Sequence, residues 1–489
     1  MYLGIDLGTS ELKLLLLSDS GAIVAQAGAR LSVQRPQPGW SEQDPQAWWA
    51  AAGQAVAQLR SLAPQAWARV RAIGLSGQMH GAVLLDPQGE VLRPAILWND
   101  GRSVHECAAL MEALPALPQI AGNLAMPGFT APKLAWVRTH EPALFARIDK
   151  VLLPKDYLRL RMCGLMVSDM SDAAGTLWLD VAQRRWSDEL LALTGLTRAH
   201  MPGLVEGSEV SGRLAPEVAA AWGLSPEVIV AGGGGDNAAS AVGIGAVRPG
   251  EGFISLGTSG VIFIVNDRFR PNPTSAVHAF CHAVPNRWHQ MSVMLSAAAC
   301  LSWVTRLVSA ESEAALVART EALEPTVQLA APLFLPYLSG ERTPHNDAQA
   351  RGVFFGLDHD TDARALCYAV LEGVAFGMRD GLDALRAAGT EPGTLALVGG
   401  GARSGFWAQL HADVLGLPIV TLDGGEAGGA LGAARLAWLA DGGDEAQVCQ
   451  QPAVRQRFTP DPQRADALAE RHARFKALYA ATRGLFPAA

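Results

Sequence analysis

The sequence predicts an α/β protein of two duplicated domains facing each other across a cleft. The tetrapeptide Leu-Gly-Thr-Ser stands at 7–10 and again at 256–259, 249 residues apart, about half of the 489-residue chain. A second ordered pair follows. The segment Glu227-Val-Ile-Val-Ala231 leads into Gly232–Gly235, the apolar run 395–398 leads into Gly399–Gly401, and each continues into a helical pattern. Two ordered pairs argue for duplication. Hydrophobic residues make up 49% and charged residues 18%, enough to bury more than one core and to exclude disordered or collagen-like classes.

Taken in order, residues 2–6 read as a strand, Leu7–Ser10 as a turn, 11–17 as a second strand and 22–27, after Asp19-Ser20-Gly21, as a third. Trp48 and Trp49 sit at helical spacing and predict packing. The seam falls in the Gly- and Pro-bearing stretch 243–252, which divides the chain into 1–245 and 246–489. The second half repeats the hairpin at 252–265, and Asp461–Leu485 reads as a closing helix. The uncharged stretch 113–132 carries four prolines, Gln119 and Asn123, which a bilayer-spanning helix would rarely hold. Formal charge is −8, and 34 Arg and 5 Lys form no block, so neither nucleic acid nor membrane is an expected partner. Six cysteines without tight spacing, and no basic segment before the first apolar run, predict a cytoplasmic protein with reduced thiols.

The glycine loops carry the chemistry. A turn of the Leu-Gly-Thr-Ser kind presents backbone N–H groups and two hydroxyls to one concavity, which suits phosphate; alone it is also an ordinary hairpin turn. There is no Gly-Lys dipeptide, so a Walker A loop is excluded, and GGGARSG at 399–405 has the wrong spacing for a dinucleotide fold. Asp6 ends the first strand, where it either caps the hairpin or meets phosphate through Mg²⁺ and water. Asp236 opens a helix, as an N-cap, as a general base, or as both. Gln78, His80, Asn99, Asp100 and Arg102 supply polar groups for a polyol, although 99–102 equally suits a salt-bridged turn and His80 a structural role. His278, Cys281, His282 and His289 fit no standard zinc spacing.

The paired LGTS loops, GGGGDN at 232–237 and GGGAR at 399–403 resemble the actin-like ATPase superfamily, and the whole chain resembles its FGGY carbohydrate-kinase branch. Residues 128–137 (GFTAPKLAWV), 352–357 (GVFFGL) and 369–372 (AVLE) are similar to that family's signatures, and 76–81, 97–102, 152–161, 168–176 and 337–345 match within it. The resemblance implies two actin-like (ribonuclease H-like) domains flanking a catalytic cleft, and ATP- and Mg²⁺-dependent phosphorylation of D-xylulose, with another ketopentose or polyol, or a non-metabolic ATPase, as alternatives. It implies Asp236 as base and Asp6 as the site's second acid. Gln78, Met79, His80, Asp100, Arg102 and Asn237 would meet the sugar. Gly8, Thr9, Ser10, Lys13, Gly257, Thr258, Ser259, Gly400, Gly401 and Arg403 would meet the nucleotide. It leaves a homodimer open. Glu11 and the fourth glycine before Asp236 depart from the family pattern.

Overall fold

The computed structural model describes residues 1–423 and 428–486. In the first half, β1 (Tyr2–Leu7), β2 (Glu11–Leu17), β3 (Ile23–Arg30), β4 (Ala72–Gly77), β5 (Val210–Arg213), β6 (Ile229–Ala231) and β7 (Gly234–Gly235) build one sheet. Its order is β5–β6–β4–β1–β2–β3, with β7 beside β4. The antiparallel meander β1–β2–β3 joins a parallel run in which β4 lies between β1 and β6. The second half repeats the plan with β8 (Gly252–Leu256), β9 (Gly260–Asn266), β10 (His278–Cys281), β11 (Trp288–Met294), β12 (Leu395–Val398), β13 (Ile419–Leu422) and β14 (Val454–Phe458), in the order β10–β11–β9–β8–β12–β13–β14. Both LGTS segments are the turns that connect the first two strands of a meander, as expected.

The second sequence pair is out of register with the fold. β12 runs parallel to β8 just as β4 runs parallel to β1, so the counterpart of 395–398 is 72–77. The counterpart of 229–231 is β13, next outward in its sheet. Glycine loops resemble one another wherever a strand end must leave room for a ligand, and composition does not report a strand's place in a sheet.

The strands are buried on both faces. Leu3, Ile5, Leu12, Leu14 and Leu16 pack with Trp48 and Ala52 of α1 (Pro45–Leu62), while Tyr2, Leu15 and Leu17 face the other way. Asp44 caps α1 by accepting the Gln46 N–H at 2.9 Å, and Pro45 suits the first helical position. Trp49 stacks on Trp222.

Two helices meet at the seam between the halves. α2 (Asp236–Gly243) follows the first sheet and bridges the halves: its Ala238 and Val242 pack with Tyr2 and Leu15, and its Ala241 with Phe253, Phe263 and Val420. α3 (Gly428–Ala440) follows the second sheet, yet its Ala430, Ala434 and Ala437 pack with Tyr2, Leu15 and Ala72 of the first. The close approach needs glycine: a methyl group on Gly4, Gly74 or Gly432 would run into Ala430 O, Ala433 O or Ala239 O. The C-terminal helix is present as α4 (Pro462–Thr482), fastened by the buried Arg471–Glu372 pair at 2.5 Å. Among the described residues no helix is long and apolar enough to cross a membrane.

Two glycine-to-alanine substitutions should therefore act with opposite signs. Gly74→Ala drives a methyl into the α3 backbone and should cost about 3 kcal/mol, or abolish folding. Gly53→Ala, in the exposed interior of α1 with open space around it, should stabilise by about 1 kcal/mol. Thermal unfolding midpoints check both.

Candidate active site

Each candidate loop leaves the C-terminal end of a strand, the edge at which open α/β sheets present ligand sites. β1 hands over to Gly8–Ser10, β4 to Gln78–His80 and β7 to Asp236. In the second half β8 hands over to Gly257–Ser259 and β12 to Gly399–Arg403. Register brings Asp6, Ser76 and Gly234 level across three strands.

A cavity of about 320 Å³ lies where the halves meet. Met79, His80, Trp98, Phe129, Asp236 and Asn237 line it from the first half, and Ser255, Ser259, His278, Phe280 and Arg342 from the second. Asp236 is the first helical residue rather than the cap, which is Gly235. Its Oδ1 accepts the Asn237 N–H at 2.7 Å and Nδ2 at 2.9 Å. Burial, and then the charge of Asp6, push its carboxyl up to about 6 against those two bonds. Asp6 accepts the Ser76 hydroxyl at 2.9 Å, and burial raises it too. Two buried carboxylates close enough for the charge of Asp6 to raise Asp236 fit Mg²⁺, which takes one or two carboxylates and fills its shell with water and phosphate.

His80 is held on every side. Its backbone is left-handed, φ 68°, unusual for a residue with a side chain. Its carbonyl accepts Lys133 Nζ at 2.8 Å and Thr130 Oγ1 at 3.2 Å. Its Nδ1 lies 2.6 Å from Gly175 O, and a carbonyl can only accept, so Nδ1 carries the proton. Burial lowers the ring to about 3, leaving a neutral imidazole whose Nε2 is an acceptor. His278 is tuned the same way. Asn123 Nδ2 donates to Ala121 O and Ala279 O, so Asn123 Oδ1 accepts from His278 Nδ1 at 2.8 Å. The Nε2 of His278 then accepts from Arg342 Nη1 at 3.4 Å.

The expected residues divide. Asp236, Asn237, Met79, His80 and Ser259 meet in this cavity. Gly400, Gly401 and Arg403 line a second one of about 480 Å³, walled by Leu301 and Val317 from the helices Ala298–Leu307 and Glu313–Glu321. Ser10, Thr258 and Ser259 are exposed at the tips of their loops. Gly8 N–H closes its turn onto Glu11 O and Gly257 N–H onto Ser259 O, so neither points at a ligand. Lys13 stands opposite Asp6 on β2, with its Nζ 3.9 Å from Glu11.

Besides Gly8 and Gly257, three sugar assignments and one phosphate assignment, Thr9, are corrected. Asp100 and Arg102 are buried and bond to each other at 2.7 Å; Arg102 also reaches Glu42 at 2.7 Å and stacks on Trp40 at 3.6 Å. This is the salt-bridged turn. Gln78 donates to Gln43 and accepts the Thr9 hydroxyl at 3.0 Å, behind the wall of the cavity. Thr9 Oγ1 also accepts Trp98 Nε1, so its side chain ties the first half together. Sequence reasoning missed Trp98, Phe129, His278 and Arg342 as lining residues. His278 was weighed only as a metal ligand, and Arg342 stood inside a matched motif, but nothing local says that they cross to the other half.

The family model for the FGGY family of carbohydrate kinases, N-terminal domain, matches residues 1–243, and that for the C-terminal domain matches 252–440. The chain belongs to the FGGY family of carbohydrate kinases. It is 53% identical to the xylulose kinase of Escherichia coli K12 over 98% of both chains, and 54% identical to that of Klebsiella pneumoniae over 95% of both. Its fold is similar to a crystal structure of a xylulose kinase from Rhodospirillum rubrum, with TM-score 0.92 and 30% identity over 99% of both chains.

The raised carboxyl of Asp236 makes a stability prediction. The fold favours its protonated form, so its contribution is full below about pH 4 and is lost as pH rises through about 6. Asp236→Asn should therefore unfold later than wild type at pH 8, by about 1–3 kcal/mol, and the gap should close toward pH 4. Parallel melting curves at all pH values would contradict this.

Proposed function

We propose that the chain transfers the γ-phosphoryl group of ATP to the terminal hydroxyl of D-xylulose, giving D-xylulose 5-phosphate and ADP. The carrying observation is the cavity shared by the halves, lined by Asp236, neutral His80, Arg342 and Ser259 of the second LGTS loop. The identity to xylulose kinases supports the sugar.

In this reading Asp236 accepts the proton of the 5-hydroxyl as its oxygen attacks the γ-phosphorus in line and the bond to the ADP oxygen breaks. Asn237 holds the carboxylate in place through its two bonds. His80 Nε2 accepts a sugar hydroxyl, and Arg342 donates to a sugar oxygen. A wrong polyol would leave these buried groups unpaired, which gives selectivity. Phe129 and Phe280, both buried, give the cavity an apolar wall that limits water. The N–H groups of residues 9–10 and 258–259 receive phosphate oxygens, and Gly400 and Gly401 floor the adenosine cavity against Leu301 and Val317. Asp6, through water, would hold Mg²⁺, which when bound neutralises phosphate charge. The two halves divide at 245/246, and the reaction belongs in the cytoplasm, where ATP is.

A coupled ADP-release assay over a pentulose, hexulose and polyol panel should give its highest kcat/KM for D-xylulose. The acid limb of that profile should lie at about pH 6, because the base must be ionised. Asp236→Asn should lower kcat about 10²- to 10⁴-fold while ATP still binds. Equal turnover by the variant, or no sugar-dependent ADP release, would overturn the assignment.

A further inference from the structure

Two matched segments, 152–161 and 168–176, are left without a role by the chemistry above. They hold a cluster of charges with no solvent contact. Lys155 Nζ lies 2.5 Å from Asp156 Oδ1, 2.8 Å from Asp169 Oδ1 and 3.2 Å from Asp172 Oδ2, and all four side chains are fully buried. Such a cluster is no better for stability than well-packed apolar residues, so its geometry is the better guide to its purpose.

Its bonds lead to the site from two sides. Asp169 Oδ2 accepts the Ser171 N–H at 2.8 Å and the Ser171 hydroxyl at 2.5 Å. The Ser171 oxygen, its proton so directed, accepts the N–H of Gly235 at 3.1 Å. Gly235 is the cap residue directly before Asp236, and it has no side chain of its own to hold it. Arg159, fully buried, donates to Ala231 O at 2.7 Å and to Gly232 O at 2.5 Å, fastening the other end of the same glycine loop. Farther along the segment, Gly175 O receives the Nδ1 proton of His80. One buried segment thus touches the backbone before Asp236 and the ring of His80.

We propose that Asp169 and Ser171, anchored by Lys155, are positioning residues that set the height of Asp236 and its separation from His80. This rests on reading Asp236 as the base and His80 as a sugar ligand. A run of four glycines has wide conformational freedom, and a displacement of about 1 Å at a reacting centre can cost on the order of 10²-fold in rate. Arg159 and the pairing of β7 with β4 hold the loop up to Gly235, and the hydroxyl of Ser171 supplies the acceptor for the Gly235 N–H directly before Asp236.

The test is a double-mutant cycle in the full-length protein. Ser171→Ala should lower kcat on D-xylulose about 10- to 100-fold, with the dissociation constants of D-xylulose and ATP within about 2-fold of wild type. Ser171→Thr, which keeps the hydroxyl, should recover most of that loss. In the Asp236→Asn background Ser171→Ala should cause no further fall, because no base remains to be placed. Thr194→Val is the control: it removes an equally buried hydroxyl, bonded only to Trp178 and Leu191, and should leave kcat within about 2-fold of wild type. If Ser171→Ala does not fold, Ser171→Cys enters the same cycle. Full kcat in the Ser171 variant, or the same loss with and without Asp236, would overturn the positioning role alone. Wild-type turnover in Asp236→Asn would instead overturn the base assignment on which it rests.

Discussion

The structure depends on one close contact, the packing of α2 against α3 at the seam between the halves. Gly432 lets the helices approach until backbone meets backbone, and Gly4 and Gly74 let α3 settle onto the first sheet. α3 belongs in sequence to the second half and in packing to the sheet of the first, and α2 packs toward both halves. The first turn of α2 carries Asp236. The first turn of α3 carries Gly429, where an added methyl group would lie 2.7 Å from Asp6 Oδ1. The seam is therefore also the place where the two carboxylates of the site are brought together.

That arrangement explains the electrostatics around it. Asp236 and Asp6 are both raised chiefly by burial, and Asp6 adds its charge to the burden on Asp236. The histidines of the cavity go the other way, lowered by burial to neutral forms whose tautomers are dictated by Gly175 O and by Asn123. Two carboxylates thus adjoin a wall on which neutral His80 and His278 stand beside Arg342. The histidine tautomers follow from backbone and amide partners, not from any surface charge pattern.

Much of this was legible in the residues. The LGTS turns and their flanking strands are local features, since a glycine turn between apolar runs has few alternatives. That Asp236, Met79 and His80 share one cavity was suggested by the short matched segments that carry them. Asp100 and Arg102 were misread because a charged turn looks the same whether it binds a ligand or, as here, bonds to itself and Glu42. Thr9 was misread because nothing in the chain indicates that Trp98 and Gln78 engage its hydroxyl. The pairing of 229–231 with 395–398 failed because strand order in a sheet is a long-range property. The arrival of His278 and Arg342 in a cavity begun by the first half is of the same kind: it depends on how the halves meet.

The central claim is that the sugar lies in the shared cavity with its reacting hydroxyl on Asp236. A crystal structure with D-xylulose and a non-hydrolysable ATP analogue tests it most directly. The account predicts the sugar's O5 at about 2.6–3.2 Å from an Asp236 carboxylate oxygen, with His80 Nε2 on another hydroxyl. A sugar bound instead against Asp100 and Arg102, or with O5 beyond the reach of Asp236, would contradict it.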